Sequence, residues 1–391
     1  MNFDVIVIGA GAAGLMCAAA AGRRGRRVLV LDHNDQPGRK ILISGGGRCN
    51  FTNLGVAPDR YLSGNPHFCT SALKRYRPTD FLDLLRQHRI PWHERSHGEL
   101  FCDRSAEDIV TMLLAECAAA GVDLRYGLKA GAVSGDGPFT VATGAGGLTA
   151  ASVVLATGGL SIPKIGASGF AHAVARRYDI PVVTPRPGLV PLTFAETDLA
   201  LIRPLAGIAV EAIVSVGRAR FREAVLLTHR GLSGPAVLQA SSYWQQGESI
   251  AIDWLPDLDA AAYLLGRKTE RPKAEVRTVL AEHLPARLAE ALTVRAGCDG
   301  RPIGQTTHAA LTALAAEVKN WSLTPTGTEG WRTAEVTVGG IDTAALSSKT
   351  MEVKAHPGLF VVGEAADVAG WLGGYNFHWA WASGWVAGQF A

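Results

Sequence analysis

The sequence predicts an α/β fold, and three observations support this prediction. A buried strand beginning at Asp4 runs into a glycine-rich turn and a helix of small residues, and a second apolar strand, Val28 to Asp32, follows. The segment after 334 repeats this glycine-rich style. From 192 to 333 short alternating strands, of which Ala209 to Val216 is the clearest, give way to helical segments that include Ala260 to Leu292. We therefore predict one α/β domain formed by both chain ends (1–191 and 334–391), with an inserted mixed domain at 192–333.

Length and composition limit the classes of protein to consider. The chain has 391 residues, of which 48% are hydrophobic and 19% charged, and this balance suits a large, well-buried enzyme of several domains. A net charge of +3 is too small to imply nucleic-acid binding by itself. The six cysteines contain no C-x-x-C pair, which favours a reducing compartment and argues against disulfides or a metal site.

The apolar N-terminus does not match a secretory signal. It carries Asp4, lacks a basic leader and is interrupted by glycines at regular spacing. No other uninterrupted apolar run reaches the length needed to span a bilayer. The sequence therefore predicts a cytoplasmic protein without a membrane span, and it leaves the oligomeric state open.

The first glycine cluster has the spacing of a dinucleotide-binding turn. Gly9, Gly11 and Gly14 read G-x-G-x-x-G directly after the strand, and Asp32 ends the next strand. Such a turn lets the backbone and a helix N-terminus approach a pyrophosphate, and the carboxylate can accept hydrogen bonds from a ribose. Strand, turn, helix and acid occur together, which favours a binding site over an idle turn. The candidate contacts are Gly9, Gly11, Ala12, Ala13, Gly14, Asp32 and His33.

A second glycine cluster follows at 45–47. Three successive glycines let backbone N–H groups converge on a flat or anionic ligand, and neighbouring serine, arginine and asparagine side chains add polar contacts. A flexible surface loop is the alternative, but the polar residues are of specific hydrogen-bonding types beside an apolar run. The candidates here are Arg39, Lys40, Ser44, Gly45, Gly46, Gly47, Arg48, Cys49 and Asn50.

Three further segments have the same character. Buried strands lead into the glycines at 158–159 and 363, and a double glycine opens a C-terminal helix. Glu364 follows a strand end, where α/β sheets bind ligands, and can bind the hydroxyls of a polyol chain. The helix start offers positive charge to a redox ring. The candidates are Thr157, Gly158, Gly159, Gly363, Glu364, Asp367, Gly373, Gly374, Tyr375 and Asn376.

One ligand accounts for a pyrophosphate site, a ribose site, a polyol site and a helix end for a ring, and that ligand is FAD. NAD alone leaves the last two unexplained. No second G-x-G-x-x-G is present, so a dedicated NAD(P)H domain is not expected, although NAD(P)H can serve as a transient electron donor. Cys49 has no second cysteine close in sequence, which argues against a flavin disulfide reductase. Catalytic residues are not determined; His378 and Arg48 are weak candidates.

Four strings together carry a family resemblance: Ile43 to Asn50, Ala156 to Gly159, Thr228 to Pro235 and Gly373 to Asn376. Over essentially the whole chain the sequence resembles the BaiN/YhiN-type flavoproteins. The resemblance implies non-covalent FAD, a glutathione-reductase-like FAD-binding Rossmann domain built from both chain ends, and an insertion made of a β-barrel plus a helical part. It also implies an NAD(P)/FAD-dependent oxidoreductase, one branch of which is linked to reduction of carbon–carbon double bonds in steroid-type acids.

Two segments depart from the family pattern. The chain has Gly98-Glu99-Leu100-Phe101-Cys102 and Ser161-Ile162-Pro163 where the family has Gly-Arg-Val-Phe-Pro and Ser-Tyr-Pro. Both departures lie near a possible substrate face, so the substrate of another member does not carry over.

The leading hypothesis is an FAD-dependent oxidoreductase that transfers hydride to a small organic substrate, unsaturated ones included, without a nucleic-acid partner. A flavin-dependent enzyme modifying tRNA or another nucleic acid is the alternative, and it predicts a basic face with exposed aromatic residues. A third hypothesis is a non-catalytic binding protein that uses the FAD fold as a scaffold.

Overall fold

The structure is a computed structural model, and it describes residues 2–391. In chain order the helices are α1 (Ala12–Gly22), α2 (Arg39–Ile43), α3 (Thr70–Arg75), α4 (Pro78–Gln87), α5 (Glu107–Ala119), α6 (Phe170–Arg177), α7 (Glu196–Ile202), α8 (Pro235–Tyr243), α9 (Ala260–Glu270), α10 (Val276–Leu280), α11 (Ala286–Arg295), α12 (His308–Lys319) and α13 (Tyr375–Gly388). None of the helices within residues 2–391 combines the length and apolar character that a membrane crossing requires.

The strands are β1 (Phe3–Ile8), β2 (Val28–Leu31), β3 (Asn50–Asn53), β4 (Tyr61–Leu62), β5 (Trp92–Glu94), β6 (Glu99–Cys102), β7 (Asp123–Arg125), β8 (Ala130–Ser134), β9 (Phe139–Thr143), β10 (Gly146–Leu155), β11 (Val182–Gly188), β12 (Leu192–Thr193), β13 (Ala209–Val216), β14 (Ala219–Thr228), β15 (Gly231–Ser233), β16 (Ile250–Asp253), β17 (Trp321–Leu323), β18 (Gly327–Thr328), β19 (Val336–Ile341), β20 (Leu359–Val361) and β21 (Ala369–Gly370).

The chain divides into two compact units. The first unit combines Met1–Pro187 with Glu335–Ala391, and the second is Gly188–Ala334. Both chain ends thus belong to one unit, and the intervening segment forms the other. The limits of these units lie a few residues from the domain boundaries predicted at 191/192 and 333/334. The assignment of the predicted segments as domains stays a prediction.

A mixed seven-stranded sheet forms the centre of the first unit, in the order β7-β2-β1-β10-β9-β8, with β20 paired to the end of β10. β7, β2, β1, β10 and β20 run parallel, and β9 is antiparallel to β10. Apolar residues fill the neighbouring parallel strands and are buried, Val5 and Val153 among them, as expected for a sheet covered on both faces. The carboxyl ends of β1, β10 and β20 meet at one edge, and the predicted α/β fold is confirmed.

Helices α1 and α13 pack closely because small residues line their contact. A side chain at Gly384 would overlap the carbonyl oxygen of Ala13, so glycine is required for this approach. Arg24 donates hydrogen bonds to the carbonyl oxygens of Gly388 and Ala391, at 3.0 and 2.9 Å. These contacts join the C-terminal helix to the first βαβ unit.

A small antiparallel sheet, β3-β6-β5, connects two further segments of the first unit. Asn53 of β3 pairs with Glu99 of β6. The indole N–H of Trp381, in α13, donates to the carbonyl oxygen of Phe51 at 2.8 Å. Near the start of α13, Asn53 Nδ2 donates to the carbonyl oxygen of Gly373, and Glu99 Oε1 lies against the same glycine.

The second unit contains helices α7–α12 and a seven-stranded sheet of order β17-β16-β13-β14-β15-β12-β18. The predicted strand Ala209–Val216 is β13, and it pairs antiparallel with β14 and β16. Trp254 and Trp321 are buried together, with ring centroids 5.4 Å apart. Among the described residues no hydrogen-bonded pair joins β17 to β18, so the sheet is open where the family resemblance implied a barrel.

Candidate functional site

The turn between β1 and α1 is packed tightly except at Gly11. Gly9 has a φ of +113°, and a side chain there would overlap the carbonyl oxygen of Ala156. A side chain at Gly14 would overlap the carbonyl oxygen of Gly9, whereas an ideal Cβ at Gly11 meets no atom within 4 Å. Open space therefore remains at the position where a dinucleotide approaches the backbone in this motif. This arrangement fits the predicted nucleotide.

Helix α1 begins without a capping side chain. Its N-cap, Gly11, makes no side-chain hydrogen bond, and no acidic residue lies in the first turn. The N–H groups at Ala12 and Ala13, together with the positive end of the helix dipole, are suited to bind an anion.

Asp32 is held beside this turn by two backbone donors. Its Oδ2 accepts from the N–H of Ala10 at 2.7 Å, and its Oδ1 accepts from the N–H of Asn34 at 2.8 Å. Each carboxylate oxygen retains a lone pair for a ribose hydroxyl. His33 Nδ1 lies 3.7 Å from Asp32 Oδ1, and Arg39 donates to the Asn34 side chain at 2.7 Å. The structure thus brings the predicted residues Asp32, His33 and Arg39 together.

Lys40 and Glu364 form the centre of a polar network near the strand ends. Lys40 Nζ lies 2.5 Å from Glu364 Oε2 and 2.8 Å from Ser161 Oγ. Glu364 Oε1 accepts from Ser161 Oγ at 3.0 Å and from the N–H of Thr337 at 2.8 Å. Burial alone would raise the pKa of Glu364, but Lys40 and these hydrogen bonds outweigh it and lower that pKa. Most of the hydrogen-bonding capacity expected for a polyol is therefore used inside the protein.

The glycine loop Ser44–Gly47 is a tight turn whose three glycines have left-handed backbone, with φ angles of 56°, 65° and 82°. A Cβ on Gly46 would meet no atom within 4 Å. The Arg48 side chain is exposed and makes no hydrogen bond or ion pair within residues 2–391. The Ser44 hydroxyl instead donates to the carbonyl oxygen of Ile41 at 2.7 Å and so closes the preceding helix.

Cys49 is buried and has a thiol neighbour that the sequence does not reveal. Burial raises the pKa of Cys49 to about 12, against a lowering by Ser44. Burial also raises the pKa of Cys102, on the adjacent strand β6, and nearby Cys49 adds to that rise. Both cysteines are free. Protonated, buried thiols are poor nucleophiles, so this environment favours a packing role for Cys49 over a catalytic one.

The start of α13 is shaped by Gly374, whose φ of 92° lies in the left-handed region. A side chain there would overlap the carbonyl oxygen of Thr52. Asn53 Nδ2 donates to the carbonyl oxygen of Gly373 at 2.8 Å and fixes the approach to the helix. No side chain caps the helix, so its first N–H groups are available to a ligand.

Other predicted contacts have internal partners. The Asn376 amide donates to the carbonyl oxygen of Gly370 at 2.9 Å and accepts from its N–H at 2.8 Å. Asp367 Oδ2 accepts from the N–H of Gly64 at 2.7 Å, while burial raises the pKa of Asp367. The Tyr375 ring is buried. These residues shape the backbone of the site, and direct contact with a cofactor stays a prediction for them.

The segment after β10 also lies at this edge. Thr157 Oγ1 is buried without a hydrogen-bond partner among the described residues. A Cβ on Gly158 would meet no atom within 4 Å, whereas one on Gly159 would press against Thr337 and Glu364. An unpartnered hydroxyl beside an open glycine fits a ligand at this position.

Glu99 and Asn50 meet at the start of α13. Asn50 Nδ2 donates to Glu99 Oε1 at 3.3 Å, and that oxygen lies 2.6 Å from where a Cβ on Gly373 would be. Burial raises the pKa of Glu99, against lowering by the Asn50 hydrogen bond and by His97 and Arg95. Sequence reasoning noted Glu99 only as a departure from the family pattern. Its position depends on the pairing of β3 with β6, for which the sequence carries no local signal.

His378, a weak catalytic candidate, is fully buried and both ring nitrogens have partners. Nε2–H donates to the carbonyl oxygen of Tyr76 at 3.0 Å, so Nδ1 accepts from the hydroxyl of Thr52 at 2.8 Å. Burial lowers the pKa of His378 to about 4. This geometry favours a structural role over proton transfer. Within the described residues no three side chains cluster to hold a metal ion.

The fold and its edge of glycine-rich turns define the class of this protein: an α/β protein with a Rossmann-type FAD-binding fold. The family model described as HI0933-like protein Rossmann domain matches residues 3–390. The chain therefore belongs to the HI0933-like family, which includes the BaiN/YhiN-type FAD-dependent oxidoreductases, and the resemblance drawn from the motifs is confirmed.

Curated relatives match almost the whole chain. It is 49% identical over 390 residues to the ribosomal RNA dihydrouridine synthase of Escherichia coli (strain K12), covering 99% of this chain and 98% of the relative. The protein of the same name from Haemophilus influenzae is 44% identical over 385 residues, with 97% and 96% covered. The 3-dehydro-bile acid delta(4,6)-reductase of Clostridium scindens is 29% identical over 409 residues, with 98% of each chain covered.

Proposed function

We propose that this protein is an FAD-dependent reductase that saturates the C5–C6 double bond of a uridine in ribosomal RNA to give dihydrouridine. The observation that carries the proposal is the 49% identity, over nearly the full length of both chains, with a protein of that activity. The match includes both chain ends and the segment between them. The similarity therefore extends well beyond a shared nucleotide-binding motif.

The proposed reaction suits this fold. The uracil C5–C6 bond is conjugated with the C4 carbonyl, so its reduction adds a hydride at C6 and a proton at C5. Bound FAD supplies hydride chemistry after reduction by a donor such as NAD(P)H. The bile-acid relative is by name also a reductase. Reduction is thus an activity that both kinds of relative share with the proposal.

Residues of the first unit would hold FAD without a covalent bond. The N–H groups of Ala12 and Ala13 face open space suited to the pyrophosphate, and Asp32 would bind the adenosine ribose. The uncapped start of α13 at Gly374 would lie against the ring and favour its negatively charged reduced form. The glycine loop at 45–47 offers further backbone donors.

A small unsaturated carbonyl compound is the second candidate substrate. Sequence reasoning favoured a small organic substrate without nucleic acid, and the bile-acid relative at 29% identity supports that alternative. The identity with the ribosomal RNA enzymes is much higher, so ribosomal RNA is the preferred substrate in this proposal. A ribosomal RNA substrate would require a cytoplasmic protein, in line with the cysteine pattern.

The test uses the purified holoprotein and ribosomal RNA from an Escherichia coli strain that lacks the 49% identical relative. After incubation with NADH or NADPH, the RNA is digested and dihydrouridine is measured by mass spectrometry. Dihydrouridine should increase only with enzyme, FAD and a donor together. Unmodified RNA with rapid reduction of a 3-oxo-4-ene steroid acid would support the second candidate. A protein that takes up no FAD would contradict both.

A further inference from the structure

We infer that the Glu99 carboxyl, lying between the Asn50 amide and the start of α13, donates the proton that completes reduction of the substrate double bond. The inference rests on the proposed function, because it takes the FAD ring to lie at this end of α13. It assigns a catalytic role to a residue that the motifs of the fold leave without one.

The position of Glu99 carries the inference. Its Oε1 fills the space beside Gly373 that a side chain at that position would need, so the carboxyl reaches the helix start. Asn50 Nδ2 holds the same oxygen at 3.3 Å. Asn50 Oδ1 is buried and has no hydrogen-bond partner among the described residues, which leaves this amide with an unused acceptor. A carboxyl and an acceptor thus lie together beside the expected ring.

The other titratable groups of the site are less suited to donate a proton. Glu364 is kept ionised by Lys40. Both nitrogens of His378 are occupied inside the core. The Cys49 thiol is buried, and burial raises its pKa to about 12. Burial also raises the pKa of Asp367 and of Glu335, but Asp367 is bound to the N–H of Gly64. Among the acids of the described residues, it is the Glu99 carboxyl that lies against Gly373.

The surroundings of Glu99 determine its pKa, and therefore the pH up to which the carboxyl stays protonated. Burial is the largest influence and favours the neutral acid. His97 and Arg95, from the connection between β5 and β6, and the Asn50 hydrogen bond from β3 favour the ionised form. Glu335, preceding β19, lies within electrostatic range and disfavours a second negative charge. The net result is a raised pKa, as a proton donor requires.

The proposed step balances. The substrate gains a hydride at C6 from FAD that a nicotinamide nucleotide has reduced. The electron pair of the C5–C6 π bond forms the new C5–H bond with the Glu99 proton, and the Glu99 O–H bond breaks. The resulting carboxylate takes a proton from solvent before the next turnover.

The experiment compares the wild-type holoenzyme with Glu99→Gln. Gln keeps the oxygen that accepts from Asn50 but carries no acidic proton. Dihydrouridine formation in ribosomal RNA should fall by about 100-fold or more, while the rate of FAD reduction by NADPH stays unchanged. Glu99→Asp should recover part of the activity. Glu94→Gln removes an exposed carboxylate on β5 and should leave both rates unchanged.

A second readout does not depend on turnover. Ionisation of a carboxyl beside the ring should shift the visible spectrum of oxidised, bound FAD as pH rises. Glu99→Gln should lack this transition, and Glu94→Gln should keep it. Retention of the transition in Glu99→Gln would overturn the inference. Wild-type activity in Glu99→Gln would also overturn it. If Glu335→Gln loses activity while Glu99→Gln keeps it, Glu335 rather than Glu99 supplies the proton.

The two proposals fail in different ways. Wild-type enzyme that leaves ribosomal RNA unmodified but reduces a 3-oxo-4-ene steroid acid would contradict the proposed function. The same Glu99→Gln comparison on that acid would then decide the proton donor, with a loss of about 100-fold supporting it and an unchanged rate overturning it.

Discussion

His378 shows that the surroundings of a titratable side chain decide its role. Its place in the C-terminal helix suggests proton transfer near a cofactor, yet Thr52 and Tyr76 occupy both ring nitrogens. The neutral ring satisfies both partners, whereas the protonated ring would lose its acceptor and bury a charge. Burial accordingly lowers the pKa of His378 from 6.5 to about 4.

Replacing His378 with Gln should make stability less dependent on pH. A Gln amide can accept from Thr52 and donate to Tyr76 without titrating. The wild-type chain has full stability from this group above pH 6.5 and loses it as pH falls toward 4, because only the unfolded histidine takes up the proton. As pH falls from 6.5 to 4, wild type should therefore lose on the order of 3 kcal/mol of unfolding free energy that the variant keeps. Urea unfolding at a series of pH values measures this difference.

His308→Gln serves as the control. His308 is exposed at the start of α12, so its replacement should give a profile parallel to wild type. Parallel profiles for His378→Gln and wild type would contradict the burial argument.

Lys40 illustrates the opposite case, in which a charge stabilises a buried partner. Lys40→Met would leave the Glu364 carboxylate with only Ser161 and Thr337 as donors. Removing one partner of a fully buried pair costs about 3–5 kcal/mol. Lys40 is 36% exposed, so we expect about 2 kcal/mol, measured as a loss of unfolding free energy at pH 7.

The same change should alter acid sensitivity. Lys40 helps to lower the pKa of Glu364, so its stabilising effect is present above pH 4.5 and is lost as pH falls through the folded-state pKa. Without Lys40 the folded-state pKa of Glu364 should be higher, so Lys40→Met should lose less unfolding free energy than wild type as pH falls below 4.5. The double variant Lys40→Met/Glu364→Gln should recover part of the stability, and an additive loss would argue against coupling.

At the scale of elements, the β1-turn-α1 unit requires its glycines for different reasons. Gly11→Val should fold, because Gly11 has extended backbone angles of −87° and −170° and an ideal Cβ meets nothing within 4 Å. The added side chain would fill the space proposed for the pyrophosphate, so the purified variant should lack FAD. Gly14→Val should fail to fold, because its side chain would overlap the carbonyl oxygen of Gly9.

Circular dichroism and the ratio of flavin to protein absorbance measure both outcomes. Gly11→Val with a wild-type dichroism spectrum and no flavin is the expected result. Full FAD occupancy in Gly11→Val would contradict the assigned position of the pyrophosphate.

Local patterns explain how far the sequence could predict these elements. Periodicity and capping signals in the sequence predict helices at Pro78–His88 and Ala106–Ala120. These are α4 and α5 with small shifts at their ends, because such signals are short-range. The stretch predicted as helical at Ala260–Leu292 contains three helices, α9 to α11. Breaks between helices depend on packing that periodicity does not report.

Contacts between residues that are far apart in sequence could not be predicted from local patterns. Ser161 and Glu364 are hydrogen-bonded across 203 positions of sequence. The contact of Asn50 with Glu99 depends on a small sheet whose strands give no distinctive pattern. The glycine motifs located the edge of the sheet, but the partners that occupy Glu364, Asn376 and His378 were visible only in the folded chain.

At the scale of the whole molecule, every predicted FAD contact belongs to one unit. All of these residues lie within Met1–Pro187 and Glu335–Ala391. Within this unit, the backbone N–H of Asp342 donates to the carbonyl oxygen of Pro181 at 2.9 Å, and Gly339 lies against the carbonyl oxygen of Thr184. β11 and β19 therefore run antiparallel, and the chain leaves this unit and returns to it at neighbouring positions.

This geometry predicts that the first unit binds FAD by itself. In a chain whose residues 189–334 are replaced by a short Gly-Ser turn, β11 and β19 should still pair and the main sheet should still form. FAD at 100 times its Kd should then stabilise the shortened chain by about 2.7 kcal/mol, seen as a higher unfolding midpoint. The same chain with Gly11→Val should gain nothing from FAD. A shortened chain that folds but stays colourless would mean that residues of Gly188–Ala334 help to hold the cofactor.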